Sequence, residues 1–280
     1  MEIAVISGKG GTGKSFISAA FATLNKKVIL ADCDVDAANM HILFEPVIEN
    51  TSVFVSGSKA VVEASLCTLC GVCAEKCRFN AIALLQNRII INDINCDGCH
   101  LCARLCPEKA ITMVNKDKSR IYTGPFRNGQ MVFGILAPGE ENSGRLVSVV
   151  REKAKAEALR LNTDIIIIDS PPGIGCPVIS SITGADHAVI ITEPTLSGLS
   201  DMKRVIEICR HFNTQIWVII NKFDLNEEIT REIYNYCHDN GIIVAGTMVH
   251  KKSIVEYAPD SEIAAKTDLI FNFILNDTLN

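Results

Sequence analysis

The sequence predicts an α/β protein: a mostly parallel sheet with helices on both faces, interrupted by a small α+β insert. Three observations carry this reading. Short, nearly continuous runs of β-branched residues alternate with amphipathic stretches through both outer parts of the chain. The first run ends in a glycine-rich loop that leads into a helical pattern. Between the second and third runs lies a segment of different texture, dense in cysteine. Strands that are apolar along their whole length belong to sheets buried on both faces, as parallel sheets are.

In chain order, "EIAVIS" is the first strand and a helix spans Lys14 to Leu24. "KVILAD" is the second strand and ends in acids. After the interruption come "MVFGILA", a charged helical run from Glu141 to Leu161, and "DIIIID". "HAVIIT" follows, then a helix near Gly198 to Phe212, "QIWVIINK", a helix near Glu227 to His238, and "GIIVAGT". Ligands of such sheets sit at the carboxyl ends of the strands.

The chain has 280 residues, 48% hydrophobic and 21% charged, enough to bury a sizeable core. A net charge of −5 argues against a nucleic-acid footprint, which needs a basic stripe. The basic runs Lys26-Lys27, Lys116 to Arg120 and Lys251-Lys252 read as solvated loop charges. No targeting segment is visible, and "DIIIID" is far below a membrane span. "LIFNFILNDTLN" is apolar, but no Lys or Arg follows Lys266, so a packing helix is expected rather than a membrane-surface anchor, and no membrane insertion is expected. A cytoplasmic protein is the expectation. Of twelve cysteines, eight fall in one short stretch, which suits metal better than disulfides.

Gly8-Lys9-Gly10-Gly11-Thr12-Gly13-Lys14-Ser15 fits G-x4-G-K-S, between a strand and a helix as that motif requires. Its glycines let backbone N–H groups converge on phosphate oxygens, beside the positive end of a helix. Lys14 should reach the β- and γ-phosphates of ATP, and Ser15 should ligate Mg²⁺. Lys14 fills the motif's lysine position, so Lys9 is an additional lysine at the front of the loop.

"KGGTGKS" resembles the deviant Walker A motif of MinD/ParA-type ATPases and the nitrogenase iron protein. The resemblance implies that Lys9 reaches across an ATP-bound homodimer to the partner's nucleotide. "ADCDVDAAN" stands where that family carries switch I, and Asp34 matches the acid that positions the attacking water. Asp32 and Asp36 are nearby acids without an assigned role. "DIIIIDSPPG" resembles the Walker B strand and switch II, with Asp169 near Mg²⁺ through water. Asn221, in "INKFD", matches the family's base-contacting asparagine. Lys9, Lys14 and Asp34 are thus the expected catalytic residues of a slow, Mg²⁺-dependent ATPase.

The interruption contains a repeat. "CTLCGVCAEKCRFNAI" at 67–82 matches "CDGCHLCARLCPEKAI" at 96–111, both C-x2-C-x2-C-x3-C followed by an Ala-Ile pair. This is the bacterial ferredoxin pattern. In it three close cysteines and one remote cysteine hold each [4Fe–4S] cluster. The pattern implies Cys67, Cys70, Cys73 and Cys106 around one cluster, and Cys96, Cys99, Cys102 and Cys77 around the other. Arg78 stands where the second repeat has Pro107, which leaves the ligand set intact. Zinc is the alternative, although zinc sites rarely use this tandem spacing. His100, among the ligands, is left without a ligand role and reads as exposed.

Cys33, Cys209 and Cys237 read as packing residues. Cys176 follows switch II, near where the nitrogenase iron protein has a cluster ligand. The loop "APGEENSG" lacks the second cysteine that arrangement needs. The whole chain resembles MinD-superfamily ATPases with an inserted two-cluster ferredoxin domain, related to the nitrogenase iron protein and Mrp-type ATPases. The ATPase domain is expected at 1–58 and 117–280, the insert at 59–116. The resemblance implies ATP-driven dimerisation coupled to electron transfer to a redox partner. The alternatives are delivery of iron–sulfur clusters or metal to an acceptor protein and, third, a positioning ATPase.

Overall fold

The computed structural model describes residues 1–24, 27–127, 129–249 and 262–277. Lys26 and the Lys251-Lys252 pair lie outside them. The chain runs β1 (Glu2–Ile6), α1 (Lys14–Leu24), β2 (Ile29–Asp32), α2 (Met40–Phe44), β3 (Asn50–Phe54) and β4 (Gly57–Val62). It continues with α3 (Val72–Glu75), β5 (Ile82–Leu85), β6 (Arg88–Ile91), α4 (Leu101–Leu105), β7 (Ile111–Lys116), β8 (Ser119–Phe126) and β9 (Gly129–Ile135). The rest is α5 (Ser143–Leu161), β10 (Ile166–Asp169), α6 (Cys176–Ile182), β11 (His187–Thr192), α7 (Leu196–His211), β12 (Gln215–Asn221), α8 (Glu227–Asp239), β13 (Ile243–Met248) and α9 (Glu262–Asp277).

Two compact units result. The first comprises Met1–Thr51, Tyr122–Gly134 and Ser143–Asn280; the second comprises Ser52–Ile121 and Ile135–Asn142. Among the described residues a nine-stranded sheet has the order β13-β12-β11-β1-β10-β2-β9-β8-β3. From β13 to β9 every neighbouring pair is parallel. β1, β10 and β11 are buried along their whole length, which is why their sequences are apolar without alternation. α9 buries Ile270, Phe271 and Ile274, and the Phe271 and Phe21 rings lie 4.6 Å apart. No described helix is long and apolar enough to cross a membrane.

The second unit is wider than the 59–116 expected of an insert. Its stem, the antiparallel β4–β7 pair, begins at Gly57↔Lys116. The separate segment Ile135–Asn142 joins it through polar contacts. Lys116 Nζ donates to Gly139 O at 3.1 Å, and Glu140 accepts from Lys118 N at 2.8 Å and Ser119 N at 3.0 Å. In sequence this segment reads as an ordinary strand-to-helix loop, so nothing flags it.

The repeat is equally visible in the backbone of the second unit. Paired positions of the two copies share the left-handed conformation: Leu69 and Gly98 at φ 61° and 68°, Gly71 and His100 at 77° and 66°, Asn80 and Lys109 at 50° and 52°. Left-handed backbone is uncommon outside glycine. Its recurrence at three matched sites marks two copies of one loop–helix unit.

Candidate functional site

The phosphate loop joins the end of β1 to the start of α1. Gly13 needs its lack of a side chain twice over: its φ is 93°, and a Cβ there would lie 2.4 Å from Asn221 Nδ2. Behind the loop stands Asp169, fully buried at the end of β10. Its Oδ1 accepts from Lys14 Nζ at 2.8 Å and Ser18 Oγ at 2.7 Å, and its Oδ2 from Ser15 Oγ at 2.9 Å. Lys14, Ser15 and Asp169 therefore meet, as the sequence motifs require. Ser18 was missed, because one turn into α1 it reads as a small core residue.

Asp32 ends β2 directly beside Asp169 in the sheet register. Burial, then the neighbouring Asp169 carboxylate, push its pKa up to about 7, against the pull of Lys14. Its oxygens accept from Asp34 N at 3.1 Å and Met40 N at 3.2 Å. Asp32 thus folds the loop that carries Asp34. Asp34 is half-buried, and burial raises its carboxyl while Lys14 opposes the rise; Asp36 is exposed. Two buried carboxyl groups thus flank one buried ammonium, with burial and then their repulsion raising Asp32. With Ser15 Oγ, they form a hard-oxygen donor set suited to Mg²⁺.

Asn221, at the end of β12, donates from Nδ2 to Thr12 O at 2.8 Å and accepts from Lys222 N at 2.9 Å. In this structure it braces the backbone of the phosphate loop. Lys9 Nζ is held within its own chain by Glu193 Oε1 at 2.6 Å, Ser197 Oγ at 3.1 Å and Thr195 Oγ1 at 3.2 Å. Glu193 and Lys222 were missed in sequence. The available signal was a carboxylate directly after an apolar strand, the feature that singled out Asp169.

In the second unit, one cavity is lined by Cys77, Cys96, Cys99 and Cys102, another by Cys67, Cys70, Cys73 and Cys106. These are the two crossed sets of the ferredoxin pattern. The first cavity is the roomier, about 320 Å³ against about 20 Å³, and Lys76, Arg78 and His100 also line it. Backbone amides point at sulfur: Ala81 N to Cys77 Sγ at 3.4 Å, Ala110 N to Cys106 Sγ at 3.3 Å, Ala60 N to Cys96 Sγ at 3.5 Å. Burial raises the Cys73 and Cys102 thiols. Among the described residues no three His, Cys, Asp or Glu side chains converge on a single-ion site. Four soft thiolates around a cavity are a donor set that suits iron–sulfur clusters and zinc alike.

His100 is exposed, with Nε2 3.3 Å from Ser58 Oγ. Cys33, Cys209 and Cys237 are buried. Burial pushes the Cys209 thiol up to about 12 and Cys237 to about 11, as for inert packing thiols. Cys176 is exposed at the start of α6.

A glycine-rich loop between β1 and α1, backed by a strand-end aspartate in a parallel sheet, defines a phosphate-loop nucleotide-binding protein. The chain belongs to the CobQ/CobB/MinD/ParA nucleotide binding domain family, which it matches over residues 3–264. It is 36% identical over 230 residues to an uncharacterized protein of Methanocaldococcus jannaschii, covering 81% of this chain and 79% of that one. It is 26% identical to the septum site-determining protein MinD of Thermotoga maritima, over 79% of this chain and 64% of that protein. The structure is similar to that of MinD complexed with Mg-ADP from Pyrococcus horikoshii, with a TM-score of 0.57 over 98% of this chain and 95% of that one. At 18% identity that likeness shows the fold alone. MinD/ParA members of the family are ATPases.

Proposed function

We propose that the protein is an ATP-hydrolysing iron–sulfur protein whose ATP-driven dimerisation gates electron transfer to a partner redox protein. The two cavities lined by the crossed cysteine sets carry the reading, because a positioning ATPase has no use for them. Cys67, Cys70, Cys73 and Cys106 would hold one [4Fe–4S] cluster, and Cys96, Cys99, Cys102 and Cys77 the other. When bound, such clusters supply one-electron transfer. The ferredoxin-like domain is accordingly the second unit.

In the first unit Lys14 would leave Asp169 for the β- and γ-phosphates of ATP. Ser15 would ligate Mg²⁺, with Asp169 acting on it through water. Asp34 would orient the attacking water, and Lys9 would complete the partner's site. Asn221 would contact the base, as its match to the family's asparagine implies, in addition to bracing the loop through Thr12 O.

A positioning role is the second reading, favoured by the likeness to septum site-determining MinD proteins. Delivery of clusters or metal to an acceptor protein is a third. Anaerobic reconstitution separates them. About eight irons per chain are expected, with reduction and reoxidation that lose none. ATP-stimulated loss of iron to an apo-acceptor would favour delivery. Failure to take up iron and sulfide would leave positioning as the better account.

A further inference from the structure

An ammonium has three donor directions, and those of Lys9 are all filled within its own chain. The cradle is built rather than fortuitous. Glu193 follows β11 directly, and Thr195 N donates to Glu193 O at 2.8 Å. Thr195 also caps α7, accepting from Gly198 N at 3.0 Å. A Cβ on Gly198 would lie 2.3 Å from Glu193 O, so the turn closes only with glycine there. The second oxygen of Glu193 accepts from Lys222 Nζ at 3.0 Å, and the same Nζ donates to Gly11 O at 3.1 Å. The carboxylate therefore joins the front lysine to the backbone of its own phosphate loop. The Glu193 side chain is only 13% exposed. Burial works to raise its pKa, but the hydrogen bonds and charges of Lys9 and Lys222 hold it below the usual glutamate range, and it is ionised at neutral pH.

We propose that Glu193, with Thr195 and Ser197, is a latch that keeps Lys9 on its own chain and sets the threshold at which two chains pair over nucleotide. The inference rests on the reading above, in which Lys9 serves the partner's site. To reach that site the ammonium must leave all three oxygens, once in each protomer, so the latch counts twice per dimer. The partner's ATP offers phosphate oxygens in exchange. ADP, one phosphate shorter, offers fewer, so a latch of this kind favours pairing over ATP. Glu193 is a positioning residue: it acts through Lys9 and touches no nucleotide.

The test is the protein concentration at which dimers form, measured by sedimentation with a hydrolysis-resistant ATP analogue and with ADP. Glu193→Gln keeps the shape and removes the charge. It should lower the midpoint roughly tenfold, shared between the two latches of the dimer, each a charge-assisted hydrogen bond discounted for partial exposure. It should also make dimers detectable with ADP. Ser197→Ala, which disturbs the fold less, should shift the midpoint the same way by roughly threefold. Lys9→Ala, and Lys9→Ala combined with Glu193→Gln, should stay monomeric. If Lys9→Ala is monomeric while Glu193→Gln and Ser197→Ala leave the midpoint unchanged or raise it, the latch is wrong and the role of Lys9 stands. If Lys9→Ala dimerises like wild type, the reading of Lys9 fails and the latch with it. Should Glu193→Gln not fold, the direction of the Ser197→Ala shift decides alone.

Discussion

The two units bury apolar surface in different ways. In the first, Ile3, Ala4, Val5 and Ile6 of β1 and Ile167 and Ile168 of β10 are fully buried, and helix side chains such as Ile17, Phe21 and Leu146 close over the sheet. Each large side chain removed from water contributes about 1.5–3 kcal/mol, and the strands supply many. In the second, the main buried cluster is Ala60, Cys73, Ala81, Ile82, Ile89, Cys96 and Ile111, with Cys67, Cys77, Cys102 and Cys106 packed against it, and Phe54, Ala110 and Ile121 are buried besides. The β5–β6 hairpin leaves Leu84, Leu85 and Ile90 exposed. A unit of this size with so small a core ordinarily needs a staple. The contrast is that the first unit's core is aliphatic and aromatic, whereas cysteines make up much of the second unit's main buried cluster. On the proposed reading, that unit's stability is largely the binding free energy of the iron–sulfur clusters.

The largest expected effect tests that contrast directly. Anaerobic chelation of the reconstituted protein should abolish the second unit's unfolding transition and open Ser52–Ile121 to proteolysis. The first unit's transition should stay where it was. The loss is on the order of 10 kcal/mol, the scale on which structural metal sites determine folding. Cys96→Ser should act in the same direction, since Cys96 is both a proposed ligand and a core residue. A chelated protein whose second unit resists protease like the reconstituted one would break the comparison, because that small core would then suffice.

A change confined to the first unit should sharpen it. Asp34→Ala removes a half-buried carboxylate that projects from a loop held by Asp32, so the loop itself should persist. Turnover should fall by ~10²–10⁴, the usual cost of losing a group that handles the attacking water. MgATP binding should survive, since Lys14 and Ser15 are untouched, and iron content should not change. Steady-state hydrolysis, equilibrium binding and iron analysis on one preparation check all three. Near-wild-type turnover would remove Asp34 from the site.

How much of this was legible in the sequence follows the same divide. In the first unit the motifs lie at strand ends, and Lys14 and Ser15 of the loop motif lie together with Asp169, which the resemblance to a Walker B strand had singled out. The crossed cysteine sets came from the resemblance to the ferredoxin pattern, and the same sets of four line the two cavities. Long-range polar partnerships were not readable. Glu193 meets Lys9 across most of the chain, and Glu140 meets Ser119 across a strand pair, neither with a periodic signature. The helix propensity of α9 was visible, but its contact with Phe21 depends on packing that no local pattern encodes. The second unit's wider bounds were missed for the same reason: Ile135–Asn142 joins through hydrogen bonds, and hydrophobic pattern is silent about those.

That segment gives the smallest prediction, and the one most specific to the second unit. Glu140 is its polar anchor, accepting from Lys118 N, Ser119 N and Ser119 Oγ. Burial would raise its carboxyl, but the hydrogen bonds from Ser119 and Lys118 outweigh it and hold the pKa below the ordinary glutamate value of 4.5. A carboxylate depressed on folding binds fewer protons in the folded state than in the unfolded one. Its contribution is therefore complete above pH 4.5 and is lost as the pH falls through the folded value. Glu140→Gln keeps the shape and one acceptor oxygen but loses the charge. At pH 7 it should cost the second unit about 1 kcal/mol, a drop in its Tm of roughly 4–8 °C for a unit of this size. The gap between variant and wild type should narrow below pH 4.5, where the wild-type carboxylate is itself being protonated. The first unit's transition should not move in either protein. A variant that melts like wild type at pH 7, or a gap that persists unchanged into acid, would mean that Glu140 does not anchor the segment and that the bonds of Gly139 to Lys116 and of Asn142 to Ser56 hold it without the carboxylate.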